Sequence, residues 1–362
     1  MIPKAEFLGS SIDSKGKNSI MLKMGIIGYG YWGPNLVRNF QETSDALVLM
    51  VADLKAENLA KVQKRYPAIQ TTSRVEDVFN NPAIEAVAIA TPVLTHYDLG
   101  LRALRAGKHV FMEKPLASST AQAMELIEEA EKRKRVLFVD HTFIYTGAVL
   151  KIKELIETGR LGKIYYYDSV RINLGLFQHD VNVMWDLAVH DLSIMDFVLD
   201  KRPTMVAATG ISNIAGEPEN IAYLTCFFED SLIAHIHANW LAPVKMRKTL
   251  IGGDKQMIVY DDVEVTEKVK VYDKGVVFND KPEGIYRLMV DYRTGDIWAP
   301  HLDMTEALQR EANLFINCVQ KGEKAPSDGK AGLRIVHILE AATQSLAQKG
   351  KPIELDWKKY GV

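Results

Sequence analysis

The sequence predicts an α/β protein: an N-terminal Rossmann dinucleotide-binding domain, followed by a C-terminal α+β domain built on a large, mostly antiparallel open sheet. Three observations predict it. The run GIIGYGYWGPN at 25–35 reads as a buried strand turning through GxGxxG into a helix. The run LVLMVAD at 47–53 is a second apolar strand, and its closing carboxylate stands twenty positions after Gly33. From Tyr165 onward, short alternating β-rich segments separated by turn residues replace the earlier strand–helix rhythm.

Each residue of the first run has a physical task. Gly28 permits the tight turn, Gly30 lets the backbone approach a pyrophosphate, and Gly33 lets the first helix pack on its strand; Tyr31 and Trp32, between them, are expected to bind the cofactor. The helix N-terminus offers free N–H groups and positive potential to the phosphates. Asp53 stands where an acid accepts from the ribose hydroxyls and repels a 2′-phosphate, which favours NAD over NADP. Lys55, two residues on, softens that preference.

The remaining elements follow in order. A helix at 56–66, the segment AIQTT and a short helix near 75–79 precede a fourth strand, AVAIATP, at 86–92. A helix at 97–106 ends at Gly107, and the strand HVFMEKP follows. Ser119 and Gln122 form a capping-box pattern opening a helix over 121–134, and a strand at 136–139 completes six parallel strands. Helices at 147–157 and 185–199 lie before and among the later strands, and helices at 306–320 and 331–347 close the chain. The expected boundaries are a flexible extension over 1–22, the dinucleotide-binding domain over 23–143, and a substrate-binding and oligomerisation domain over 144–362, whose last helices can pack back on the first domain.

Composition narrows the function. A chain of 362 residues with net charge −2 has no basic stripe for nucleic acid, and its basic run at 132–135 sits on a solvated helix end. No apolar run approaches the roughly 20 residues that cross a bilayer, so a cytoplasmic protein is expected. Cys226 and Cys318 belong to no metal or redox pattern and read as reduced core residues. His235 and His237 share one strand face, but neither they nor His179 find a third ligand in the pattern, so no metal is expected.

Two clusters carry chemistry. FMEKP places Glu113 and Lys114 at the C-terminal end of the fifth parallel strand, the edge where ligands of open α/β sheets bind, and Pro115 holds the residue before it extended. In WDLAVHDLSIMD, Asp186 and His190 are four residues apart and share a helix face. Oxidising a carbinol needs a base for the hydroxyl proton and a cation for the developing alkoxide. His190 suits the first task and Lys114 the second, with Asp186 orienting the imidazole. A solvated EKP turn and an acid–imidazole pair that only stabilises its helix are the alternatives.

Together, GxGxxG, EKP after the fifth strand and DxxxH in the second domain resemble the Gfo/Idh/MocA oxidoreductases, over essentially the whole chain from Met24. The resemblance implies NAD(P)-dependent chemistry on a sugar, cyclitol or related carbinol, and a wide C-terminal sheet often used in oligomer contacts. It implies Lys114 and His190 as the catalytic pair, Asp186 in the substrate site, Ala90, Thr91, Pro92 and His96 in a loop along the cofactor, and Glu113 as a cofactor-side acid. Many members carry an asparagine and an arginine where this chain has Thr142 and Phe143, and an aspartate where it has Ser193. The segments GYWGPNLVRN, RINLGLFQHDVNVMWDLAVHD and NWLAPVKMRKTLIGG resemble a branch acting on nucleotide sugars, the UDP-N-acetylglucosamine 3-dehydrogenases. On that reading Arg171, Asn173, Lys245 and Arg247 meet phosphates, and Tyr145 or Trp240 stacks on a base or sugar. The expected reaction is oxidation at C3 of a UDP-N-acetylhexosamine by a homodimer or homotetramer. A dehydrogenase of free sugar or inositol and a non-catalytic dinucleotide sensor are the alternatives.

Overall fold

The computed structural model describes residues 10–12, 18–175, 179–273, 275–278, 290–293 and 295–361. The chain forms two compact units, one of residues 1–142 with 306–333 and the other of 143–305 with 334–362. Within the extension expected to be flexible, Ser10–Ile12 pairs antiparallel with Asn18–Ile20. The other residues before Asn18 lie outside the described set.

The first unit holds six parallel strands: β1 (Leu22–Ile27), β2 (Ala46–Ala52), β3 (Gln70–Thr72), β4 (Ala86–Ile89), β5 (His109–Glu113) and β6 (Leu137–Asp140). Their order, β3-β2-β1-β4-β5-β6, is the doubly wound order of dinucleotide-binding folds, with the direction of winding reversing between β1 and β4. The central strands are apolar along their length because helices cover both faces. Helix α1 (Gly33–Glu42) starts with Pro34 in its first turn, where no N–H is missed. Helices α2 (Ala56–Arg65), α3 (Val75–Phe79), α4 (His96–Arg105) and α5 (Thr120–Arg133) follow. The cap of α5 differs in one detail from the expected box. The Ser119 hydroxyl accepts from Gln122 N, but the Gln122 side chain reaches back to Ser118.

Helix α8 (Ala307–Lys321) belongs to this first unit. Its Phe315 closes a cluster with Phe40, Phe111 and Phe138, all fully buried, with ring centroids 5.2–6.1 Å apart. Edge-to-face and offset contacts of this kind add about 0.5–1.5 kcal/mol each beyond the area buried. The α8 N-terminus is tied to α1 by Glu306, which accepts from Arg38 at 2.5 Å and from Asn39 at 3.2 Å.

The second unit holds α6 (Gly147–Glu157), α7 (Val189–Leu199) and a nine-stranded sheet. Its strands are β7 (Ile164–Leu174), β8 (Met205–Ile211), β9 (Ile221–Phe227), β10 (Ile233–Asn239), β11 (Leu241–Gly253), β12 (Met257–Asp261), β13 (Val269–Tyr272), β14 (Ile297–Trp298) and β15 (Ile353–Glu354). They run in the order β14-β13-β12-β11-β7-β10-β9-β8-β15, and every pairing is antiparallel except β7 with β10. The alternation of buried and exposed residues on β8 to β10 shows a sheet with one covered and one open face. Helix α9 (Gly329–Ala347) contributes to the covered face through Ser345, which accepts from Ala208 N. Ile211, Tyr223, Ile233, Val244 and Met246 are exposed along the sheet.

Candidate active site

The carboxyl ends of β1, β4 and β5 gather the first unit's candidate residues. Gly28 has φ +94°, and a Cβ there would stand 2.5 Å from the Ala90 carbonyl oxygen, so the β1 and β4 turns touch only because Gly28 has no side chain. A Cβ on Gly33 would stand 2.1 Å from the Gly28 carbonyl oxygen. Gly30 is the opposite case: no atom lies within 4 Å of where its Cβ would be. That open space beside the α1 N-terminus fits a pyrophosphate pressed against backbone.

Asp53, at the end of β2, accepts from Tyr29 N at 2.6 Å, Lys55 N at 2.7 Å and the Asn58 amide at 3.2 Å. Three donors fix its carboxylate in place, and its half-exposed side chain suits a ribose. Leu54 and Tyr31, each 88% exposed, stand as apolar surface near either end of this arrangement. The residues fit a dinucleotide, whose bound nicotinamide supplies a hydride acceptor.

The β4 and β5 turns are fastened together by His96. Its Nδ1 lies 2.8 Å from the Pro115 carbonyl and its Nε2 2.8 Å from that of Thr91, and the ring is 1% exposed. Glu113 and Lys114 directly precede a residue whose carbonyl is held by His96. Beside them Asp140, closing β6, accepts from Trp32 Nε1 at 2.6 Å and from the Thr142 hydroxyl. Burial first, and the Asp140 carboxylate second, push the Glu113 carboxyl well above the usual range, and Lys114 opposes them.

In the second unit, the segment before α7 forms a wide π-helical turn, Met184–Ala188. Asn182 starts it by accepting from Met184 N and donating to Glu219. Asp186 lies on this turn and accepts from the Trp240 indole at 3.0 Å. His190 follows on α7 and packs edge-on against Phe143, centroids 4.8 Å apart. Phe143 also lies 4.5 Å from the Arg171 guanidinium and 5.4 Å from that of Arg247. Arg171 is bound through Nε to Asp191 at 2.6 Å, both side chains 2% exposed, and Ser169 donates to the same carboxylate. Arg247 pairs with Asp262 at 3.2 Å.

A family model described as an oxidoreductase family with an NAD-binding Rossmann fold matches residues 22–141, and the model of the GFO/IDH/MocA C-terminal domain matches residues 149–259. The chain is a Gfo/Idh/MocA-family oxidoreductase. It is similar to myo-inositol 2-dehydrogenase of Thermotoga maritima, 22% identical, covering 91% of this chain and 97% of that one. Among solved structures it resembles UDP-N-acetylglucosamine 3-dehydrogenase GnnA of Acidithiobacillus ferrooxidans, with TM-score 0.75 and 21% identity over 91% of this chain and 99% of that one. It also resembles GenD2 of gentamicin A biosynthesis in complex with NAD, with TM-score 0.79 and 19% identity over 98% and 99% of the two chains. At these identities the structures show a shared fold.

In this NAD(P)-dependent oxidoreductase the structure gathers Gly28, Gly30, Tyr31, Trp32, Gly33, Asp53, Ala90, Thr91, Pro92, Glu113 and Lys114 in one unit, and Asp186, His190, Asn173 and Arg247 in the other. Several expected roles change. His96 is too buried to reach a cofactor and instead bridges two backbone carbonyls. Arg171 is engaged by a buried aspartate rather than offered to phosphate. Tyr145 and Trp240, 5% and 1% exposed, are core residues and not stacking platforms, although Trp240 serves the site by holding Asp186. Lys245 is exposed on β11. His179 pairs with Glu217, and Tyr223 stacks on His235 and His237. Among the described residues no group of three or more His, Cys, Asp or Glu is arranged to hold a metal.

Sequence reasoning missed Asp140, Asp191 and Glu311. Asp140 carried a signal, a carboxylate at the C-terminal end of a parallel strand. Asp191 and Glu311 carried none, because no local pattern tells a buried helical carboxylate whose partner lies elsewhere in the chain from a solvated one.

Proposed function

We propose that this oxidoreductase oxidises a secondary alcohol of a sugar, the first candidate being C3 of a UDP-N-acetylhexosamine, and that the product is a 3-keto sugar. The family to which it belongs contains sugar and inositol dehydrogenases, which supports the reaction class. The observation that carries the reading is the placement of Lys114, on a turn braced by His96 at the cofactor edge of the sheet. His190 takes the hydroxyl proton while Lys114 stabilises the alkoxide that forms, and the hydride leaves the carbinol carbon for the nicotinamide. Asp186, fixed by Trp240, orients the substrate or the imidazole. The exposed apolar residues along the open sheet support a homodimer or homotetramer.

A second reading, oxidation of a free sugar or inositol, is favoured by the engagement of Arg171 with Asp191 and of Arg247 with Asp262. Both arginines of the expected phosphate clamp already have carboxylate partners. Nicotinamide reduction by the NAD-loaded protein, measured separately with UDP-N-acetylglucosamine, UDP-N-acetylgalactosamine, glucose and myo-inositol, separates the two. Turnover confined to UDP sugars, with KM raised by Arg247→Ala, supports the first. Turnover confined to glucose or inositol replaces it with the second.

A further inference from the structure

Glu311 of α8 is fully buried, and among the described residues neither of its oxygens meets a donor in full hydrogen-bond geometry, the Thr142 hydroxyl being the donor that favours its charged form. Two more carboxylates act on it, Asp140 at the end of β6 at hydrogen-bond range and Glu113 at the end of β5 through its charge. The Thr142 hydroxyl nearby donates to Asp140, which also accepts from the Trp32 indole at 2.6 Å. Among the described residues no cation is within hydrogen-bond reach of the Glu311 oxygens; Lys114 acts on Glu113, and Arg38 is paired with Glu306 at the α8 N-terminus.

Two buried carboxylates in contact cannot both remain charged without a cation between them, so a proton resides in the pair. Asp140 already accepts from Trp32 and Thr142 and so is the acceptor of the pair, leaving Glu311 to carry the proton and donate it. We propose that Glu311 is a positioning residue of the cofactor edge, a neutral carboxylic acid whose O–H bond to Asp140 fixes the carboxylate that holds Trp32 in the GxGxxG turn. No proton is transferred. Helix α8, distant in sequence from the glycine turn, thereby sets the position of that turn and of the neighbouring Glu113–Lys114 pair. The inference rests on the dinucleotide assignment of this edge and is independent of which alcohol is oxidised.

The pH dependence has a defined sign. Burial, then the neighbouring Asp140, raise the Glu311 carboxyl well above its ordinary value. Its stabilising contribution is therefore complete at pH values below the ordinary carboxylate range and is lost as pH climbs through the raised folded value. Glu113 is raised too and is linked to Glu311 through their charges, so a comparison at position 311 reads Glu311 together with its effect on Glu113.

Full-length wild type, Glu311→Gln and Glu311→Leu would be compared for melting temperature across pH, and for NAD affinity by calorimetry. A glutamine amide donates to Asp140 without titrating, whereas leucine fills the space and donates nothing. The expected result is that Glu311→Gln binds NAD as wild type does and keeps its melting temperature on the alkaline side where wild type falls. Glu311→Leu is expected to bind NAD about tenfold more weakly or worse, as the loss of a hydrogen bond to a charged group implies. Equal NAD affinity for Glu311→Leu and wild type would overturn the proposal. So would a wild type more stable than Glu311→Gln at alkaline pH, since it would mean that Glu311 functions ionised.

Discussion

The two units hold their functional residues by different means. In the first, the candidate cofactor edge is built from backbone: Gly28, Gly30 and Gly33 shape the turn, His96 bridges two carbonyls, and Asp53 is fixed largely by main-chain N–H groups. In the second, His190 sits in a side-chain assembly in which Phe143 meets His190, Arg171 and Arg247, and Arg171 is anchored by Asp191. A backbone device depends on residue type at fixed spacing, so it is written locally in the sequence. An assembly of side chains from a strand, a helix and a turn far apart in the chain is not.

The comparison breaks most severely at Asp191. Asp191→Ala leaves the Arg171 guanidinium charged, buried and stripped of its carboxylate, which costs about 3–5 kcal/mol. Chemical denaturation should show that loss while NAD affinity per folded molecule is unchanged. Arg171 acting instead as an exposed phosphate ligand would give a small stability change and a large rise in substrate KM.

Within the backbone device, two glycines of one motif should respond in opposite ways. Gly33→Ala forces a Cβ to 2.1 Å from a backbone oxygen and should destabilise the protein by about 1–3 kcal/mol as well as weaken NAD. Gly30→Ala meets nothing within 4 Å, so its stability should stay within about 0.5 kcal/mol of wild type while NAD affinity falls. Equal effects on stability at the two positions would contradict the division drawn here between a packing glycine and a ligand-facing one.

The six parallel strands and the change to a mostly antiparallel sheet were legible because apolar runs, helix signals and turn residues are local patterns. So was the GxGxxG turn with its distant acid. The wide turn at Met184–Ala188 was not, because nothing in WDLAV distinguishes it from an ordinary helical turn. The Asp186–His190 spacing was accordingly assigned to one α-helical face, whereas Asp186 lies on the wider turn and accepts from Trp240. Arg171 and Arg247 were legible as cations but not as paired ones, since Asp191 and Asp262 reach them only through the fold. The Thr142–Phe143 step shows the same limit. Its departure from the family pattern is visible in the sequence, but the placement of Phe143 against His190, Arg171 and Arg247 appears only in three dimensions.

The central claim is that Lys114 and His190 perform alcohol oxidation with NAD as hydride acceptor. It is tested most directly by single-turnover nicotinamide reduction in wild type, Lys114→Met and His190→Gln, each first shown by calorimetry to bind NAD, using whichever alcohol wild type oxidises. The account predicts that both variants bind NAD and lose about 100-fold or more of the single-turnover rate. Rates within a few-fold of wild type in either variant would contradict it.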